Sequence, residues 1–217
     1  MIPVKVLAVQ YLSAVTPELS RALGTDAPCL GLITTDADDP TYIALDQATK
    51  DAQVSVCYGR SFYGGAGNST TPYAGEVVGI LAGPTPGAVR SGMESALGEL
   101  ERVGFETLGG VPCLAHTVSR CGSFLAKEAG IAEGSPIAYL LGIEPVNPHQ
   151  FGCLDFCLAE PSKIQLPLQV EIFYDNEYRN EVVEWVADRY EGVSTRLGQP
   201  ILKLDNMVVH FKRVITQ

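Results

Sequence analysis

Thr16-Pro17, Asp39-Pro40, Thr85-Pro86 and Asn147-Pro148 are four places along this 217-residue chain where a short polar residue stands directly before a proline and a helical pattern follows. Proline costs nothing at the first position of a helix, where its missing N–H would have had no partner. A Thr, Asp or Asn just ahead of it can accept one of the unpaired amides of the first turn. Each pair therefore predicts a helix start. The runs between them have strand length: Val4–Tyr11, Cys29–Thr34, Val54–Tyr58 and Glu76–Leu81. Thr16 caps a short helix. Asp39 is expected to cap a second, running through Lys50 with Ile43, Ala44, Ala48 and Ala52 as its small or apolar positions. The third runs from Pro86 to about Arg102, and Val89, Met93, Leu97 and Leu100 recur at helical spacing on its inner face. Strands alternating with helices give an α/β chain, packed as an α+β sandwich.

The second half continues the alternation. Cys113–Val118 and Pro136–Leu141 read as strands, and Asn147-Pro148 opens a helix ending near Ala159. Ile164–Phe173 reads as a strand that Pro167 pushes toward a sheet edge or a bulge. A helix follows from Asn176 or Asn180, carrying Val182, Val183, Trp185, Val186 and Tyr190. Ile201–Ile215 is strand-like, with a turn at Asp205-Asn206. The order of elements suggests internal duplication. Pro28-Cys29-Leu30 and Pro112-Cys113-Leu114 each open an apolar strand, and Ala44-Leu45-Asp46 and Cys153-Leu154-Asp155 each sit early in a helix. Two similar domains, 1–108 and 109–217, are the simplest division; their formal charges are −6 and −4.

Composition narrows the function classes. Hydrophobic residues are 46% and charged residues 18%, enough apolar material for a core. No apolar run approaches the ~20 residues that span a bilayer. The start, MIPVKVLAVQYL, lacks the pattern of a secretory signal, so a cytosolic protein is expected. A net charge of −10 argues against nucleic acid and against an anionic membrane surface. It suits a cationic or neutral small partner, or simply serves solubility. The cysteines at 29, 57, 113, 121, 153 and 157 form no Cys-x-x-Cys pair. There is no P-loop and no nucleophile elbow, and Gly64-Gly65-Ala66-Gly67 lacks the strand and acidic partner of a dinucleotide site. No cofactor is expected. His149, Cys153 and Cys157 share a helix face by spacing and carry soft-metal chemistry. The plainer reading has both cysteines packing beside Phe151, Leu154 and Leu158, and with no fourth ligand no metal is assigned.

Two segments carry recognition chemistry. Asp36, Asp38 and Asp39 lie where a strand ends and a helix begins. They read either as a cation or ammonium site or as helix capping and dipole stabilisation. The stretch Gly59–Pro72, GRSFYGGAGNSTTP, is longer than a tight turn requires, and its glycines permit unusual backbone angles.

Long blocks, in order, resemble the L-type shell proteins of the ethanolamine-utilization microcompartment. They are Gly31–Lys50, Val56–Asn68 and Ala74–Pro86, then Arg90-Ser91-Gly92, Val118–Leu125, Ala129–Ile131 and Ala138–Leu140. The resemblance implies two tandem, circularly permuted bacterial-microcompartment (ferredoxin-like) domains. It implies a homotrimer that forms a pseudohexameric tile, packed with other shell proteins in a planar layer and pierced by a gated central pore. Small-molecule metabolites, with an amine as candidate, would cross it. By position, the segment Arg60–Thr71 matches the gating loop, including Arg60, Phe62, Tyr63, Gly64, Gly65, Gly67 and Asn68. Asp38, Asp39 and Glu76 match acids lining a small pore in each subunit. The resemblance implies no catalysis.

The pattern is lost after about residue 143: His149–Cys157 is richer in bulky aromatics than the family's second helix, and Phe173–Tyr178 replaces a polar segment. Two rival readings remain. One is a two-domain small-molecule sensor using the acidic site without any shell. The other is a thiol enzyme pairing Cys113 or Cys121 with His116.

Overall fold

A computed structural model describes residues 1–61, 76–108, 111–145, 168–175, 194–196, 199–204 and 207–214. The chain forms two compact units, Met1–Gly104 with Ser119–Ser135, and Phe105–Val118 with Pro136–Gln217.

In the first unit a short β1 (Ile2–Pro3) precedes β2 (Val6–Leu12), α1 (Pro17–Leu23), β3 (Cys29–Thr35), α2 (Asp38–Asp51), β4 (Ser55–Ser61), β5 (Val77–Gly83) and α3 (Pro86–Leu100). The sheet order is β2-β3-β5-β4, antiparallel throughout. The helices form where the cap-proline pairs predict. Thr16 accepts from the Leu19 amide and Thr85 from the Ala88 amide. The Asp39 cap is corrected: α2 starts one residue earlier, at Asp38, after Ala37, which has no side chain able to cap. Asp38 Oδ1 instead accepts from the Asp39 amide at 3.0 Å.

Helices α2 and α3 cover one face of this sheet. Ile33, Leu45, Leu81, Val89, Met93 and Leu100 meet there in the main core. Val89, Met93 and Leu100 bear out the predicted inner face of α3, and Leu97 packs beside them half-buried. Close approach of α2 requires a missing side chain at Gly79, where a Cβ would stand 2.6 Å from Leu45 Cδ1. A smaller cluster of Leu30, Ile80 and Ala82, with Leu12 and Leu23 against it, lies apart from this core.

The second unit contains β6 (Gly104–Leu108), β7 (Val111–Val118), β8 (Ile137–Pro145), β9 (Leu168–Asp175), β10 (Ser194–Arg196), β11 (Gln199–Leu204) and β12 (Met207–Val214). They run β6-β7-β8-β9-β12-β11-β10. Strand β9 pairs in parallel with both β8 and β12, so it is a central strand and not the edge that Pro167 suggested. The described part of the strand starts at Leu168, and Pro167 itself lies outside the described residues. Strands β11 and β12 pair with Leu204 opposite Met207, across the two residues where a turn was expected. The helices expected at 147–159 and from Asn176 or Asn180 lie outside the described residues.

One helix escaped the sequence reading: α4 (Ser123–Ala129), which belongs to the first unit. It has a counterpart. Helices α1 and α4 are each seven residues long and start 106 positions apart (123 − 17), and each is followed by a glycine in the left-handed region, Gly24 at φ 64° and Gly130 at φ 69°. The strands before them, β2 and β7, end at Leu12 and Val118, also 106 apart (118 − 12). The duplication is visible in the run strand, short helix, strand, as β2-α1-β3 and β7-α4-β8; beyond it the second sheet differs, with β9 parallel to both neighbours. The period of the duplication makes β7 the counterpart of β2, where the Pro-Cys-Leu match had made it the counterpart of β3.

A candidate acidic site at one end of the first sheet

The sheet register gathers several of the sequence-predicted site residues. Thr35 pairs with Val77 across β3 and β5, and Ser61 pairs with Val77 across β4 and β5. Asp36, Glu76 and the end of β4 therefore all lie at the same end of the sheet. Arg60, exposed, is the next-to-last residue of β4; Glu76, half-buried, comes just before β5. Helix α2 starts at this end too, with Asp38 and Asp39 in its first turn.

Both carboxylates are deep in the protein, at 1% and 8% exposure. Burying a carboxylate is costly unless donors or positive charge face it. Some of the offset comes from α2 itself, whose N-terminal amides carry partial positive charge. The turn into α2 is held rigidly beneath them. Thr35 and Thr41, both fully buried, bring their hydroxyls to 2.6 Å, and Thr41 donates to the Ala37 carbonyl at 2.8 Å. Asp36 is held from the other side, where its Oδ1 accepts from the Lys5 amide at 2.8 Å and its own amide donates to the Lys5 carbonyl at 3.1 Å. The three aspartates thus divide. Asp36 ties β2 to β3, whereas Asp38 and Asp39 put two buried carboxylates in the first turn of α2.

Phe62, Tyr63, Gly64, Gly65, Gly67 and Asn68 lie outside the described residues, as do His149, Cys153 and Cys157. Among the described residues no cluster of three or more His, Cys, Asp or Glu could hold a metal. The thiols there suit packing more than chemistry. Cys29 and Cys121 are buried, and burial pushes the Cys57 thiol up from its ordinary value. A raised thiol is a weaker nucleophile at neutral pH.

The sequence reading overlooked one functional carboxylate, Asp46. It is fully buried on α2. Its Oδ2 accepts from the Gly122 amide at 2.7 Å and its Oδ1 from the Leu125 amide at 2.9 Å, so it caps α4 from a different segment. Lys50 stands 3.4 Å from it and donates to the Arg120 carbonyl at 3.1 Å. Gly122 has to be glycine: an added Cβ would collide with Thr49 Oγ1 and lie 2.8 Å from the Asp46 carbonyl. The available signal was a charged residue among Ala44, Leu45 and Ala48, where the helix pattern calls for an apolar one.

The family model for the BMC domain matches residues 29–110. The chain is 50% identical over 142 residues to the bacterial microcompartment shell protein EutL of Clostridium perfringens, covering 63% of this chain and 65% of that one. It therefore spans just under two thirds of that relative's length. The crystal structure of the ethanolamine utilization protein EutL from Leptotrichia buccalis superposes with a TM-score of 0.59 at 45% identity, over 64% of this chain and 67% of that one. The trimeric bacterial microcompartment shell protein PduB shares the fold at a TM-score of 0.50 and 16% identity, over 59% of this chain and 57% of that one.

Proposed function

Since the chain belongs to the EutL family of bacterial microcompartment shell proteins, we propose that it is a structural component of such a shell and not an enzyme. Three copies form a pseudohexameric tile, and tiles pack with other shell proteins into a layer around enclosed enzymes. Each chain supplies two domains, 1–108 and 109–217. The observation that carries this reading is the 50% identity to a EutL shell protein over 142 residues.

Small metabolites cross the tile by diffusion, selected by pore width and lining polarity. The loop Arg60–Thr71 gates the central pore. Asp38, Asp39 and Glu76 line a smaller passage that admits a cationic amine. The buried acids at the start of α2 support that assignment, because they offer fixed acceptors to an ammonium donor.

The shell role is tested by expressing the tagged chain in a bacterium that builds ethanolamine microcompartments and fractionating the lysate. Sedimentation with intact shells is expected; recovery only in the soluble fraction would contradict it. The amine site is tested by calorimetry with ethanolamine. Asp39→Asn and Glu76→Gln should each weaken binding by about tenfold, about 1.4 kcal/mol, and unchanged affinity in both would remove the site.

A further inference from the structure

We propose that the Ser61 hydroxyl is a further contact of the acidic site, accepting a hydrogen bond from the ammonium group of a primary amine held beside Asp39. The inference rests on the amine reading above and adds a residue to it. Ser61 is the last residue of β4, and its Oγ is buried with no hydrogen-bond partner among the described residues. A hydroxyl in that state has lost its water and gained nothing in exchange, so the fold alone gives no reason for it.

Sheet register and helix geometry bring it to Asp39. Thr35, Val77 and Ser61 stand in one row across β3, β5 and β4. Residues directly opposite one another share a sheet face. Thr35 meets Thr41 of α2, and Val77 is fully buried, so the row lies on the face that α2 covers. Gly59, two residues before Ser61, is on the same face. A Cβ there would stand 3.6 Å from Tyr42 Cε1, so Tyr42 of α2 lies over β4. Asp39 precedes Tyr42 by three residues, on the same side of the helix and about 4.5 Å nearer its start. Ser61 lies about 6.8 Å beyond Gly59 along β4. Both steps lead toward the end of the sheet where α2 begins, so Asp39 and Ser61 arrive at one level.

The pair selects by more than charge. A carboxylate attracts any small cation, whereas a hydroxyl acceptor also requires an N–H. A primary ammonium carries three, enough for Asp39 and Ser61 together. A quaternary ammonium carries none and would leave the hydroxyl as it is in the ligand-free protein. The cost of the buried hydroxyl therefore falls on the ligand-free state, and the bound amine relieves it. A hydroxyl that served the fold would behave in the opposite way.

The experiment is titration calorimetry with ethanolamine, and urea unfolding without ligand, on the wild-type chain and on the Ser61→Ala and Ser61→Cys variants. The cysteine keeps the size of the side chain and accepts hydrogen bonds poorly. Each variant should bind at least tenfold more weakly while its urea midpoint stays at or above that of the wild type. Wild-type affinity in both variants would overturn the Ser61 contact and leave the acidic site standing. A lowered midpoint in both would give the hydroxyl a structural role and overturn the contact as well. No heat from the wild-type chain would overturn the amine site itself, and this contact with it.

Discussion

Helices α1 and α4 are the same element used twice, and they are stabilised in different ways. Helix α1 is self-sufficient: Thr16 accepts from the Leu19 amide, and Arg21 reaches Glu18 one turn earlier at 3.3 Å on a fully wet surface. Helix α4 starts at Gly122, which offers no side chain, and borrows its cap from Asp46, 76 residues earlier. A local cap makes a helix that any context tolerates. A borrowed cap makes a helix that depends on one tertiary contact, and it fixes the segment Ser119–Ser135 to the first unit. The cost of that arrangement is a buried carboxylate, which is stable only while both amides and Lys50 face it.

The comparison breaks most visibly at Asp46. Asp46→Ala leaves two buried amides without an acceptor and strands Lys50. It should cost about 3–5 kcal/mol, read as a lower urea midpoint. A loss no greater than that of a local cap would mean the borrowed contact holds nothing. Gly122→Ala should follow at about 1–3 kcal/mol, because the new methyl forces apart Thr49 and the Asp46 backbone. Thr16→Ala, by contrast, should cost about 1 kcal/mol and leave α4 untouched, seen as amide exchange that quickens only in α1.

The smallest effect lies where the last turn of α2 meets the middle of α3. There Ser95 donates to Asp51 Oδ2 at 2.6 Å and Gln47 donates at 2.9 Å. The Ser95 hydrogen bond, then that of Gln47, holds the Asp51 carboxyl below its ordinary value of 3.8. Because the folded value is the lower one, the stabilisation is present above pH 3.8 and fades as the pH falls through the folded value. Ser95→Ala should flatten the acid limb of the stability profile slightly and leave neutral pH nearly unchanged, since the site is wet. An acid limb of unaltered slope would show the pair to be idle.

Much of the first unit was legible because its signals are local. Thr16-Pro17 and Thr85-Pro86 specify their helix starts through atoms within three residues, and the inner face of α3 repeats at helical spacing. Asp39-Pro40 misled by one position because three acids compete for one helix start, and chain geometry alone decides that Asp38 enters the first turn. Helix α4 was invisible because its cap position is Gly122, with Ser123 already inside the first turn, and its acceptor is distant in sequence. Pro167 misled because a proline constrains only its own amide, while β9 from Leu168 onward pairs on both sides. Of the acidic site, the residues were legible from the sequence, and their grouping came only through the family resemblance. The pairing of Thr35 with Val77 that brings Asp36 and Glu76 to one sheet end is set by long-range register, which no short motif records.

The central claim is that this chain builds a three-fold tile. Negative-stain electron microscopy of the purified chain tests it most directly. The account predicts class averages with three-fold symmetry, a near-hexagonal outline and a central depression, and at higher concentration sheets of such tiles packed edge to edge. Averages of single 23.2 kDa particles, or rings of any other symmetry, would contradict it.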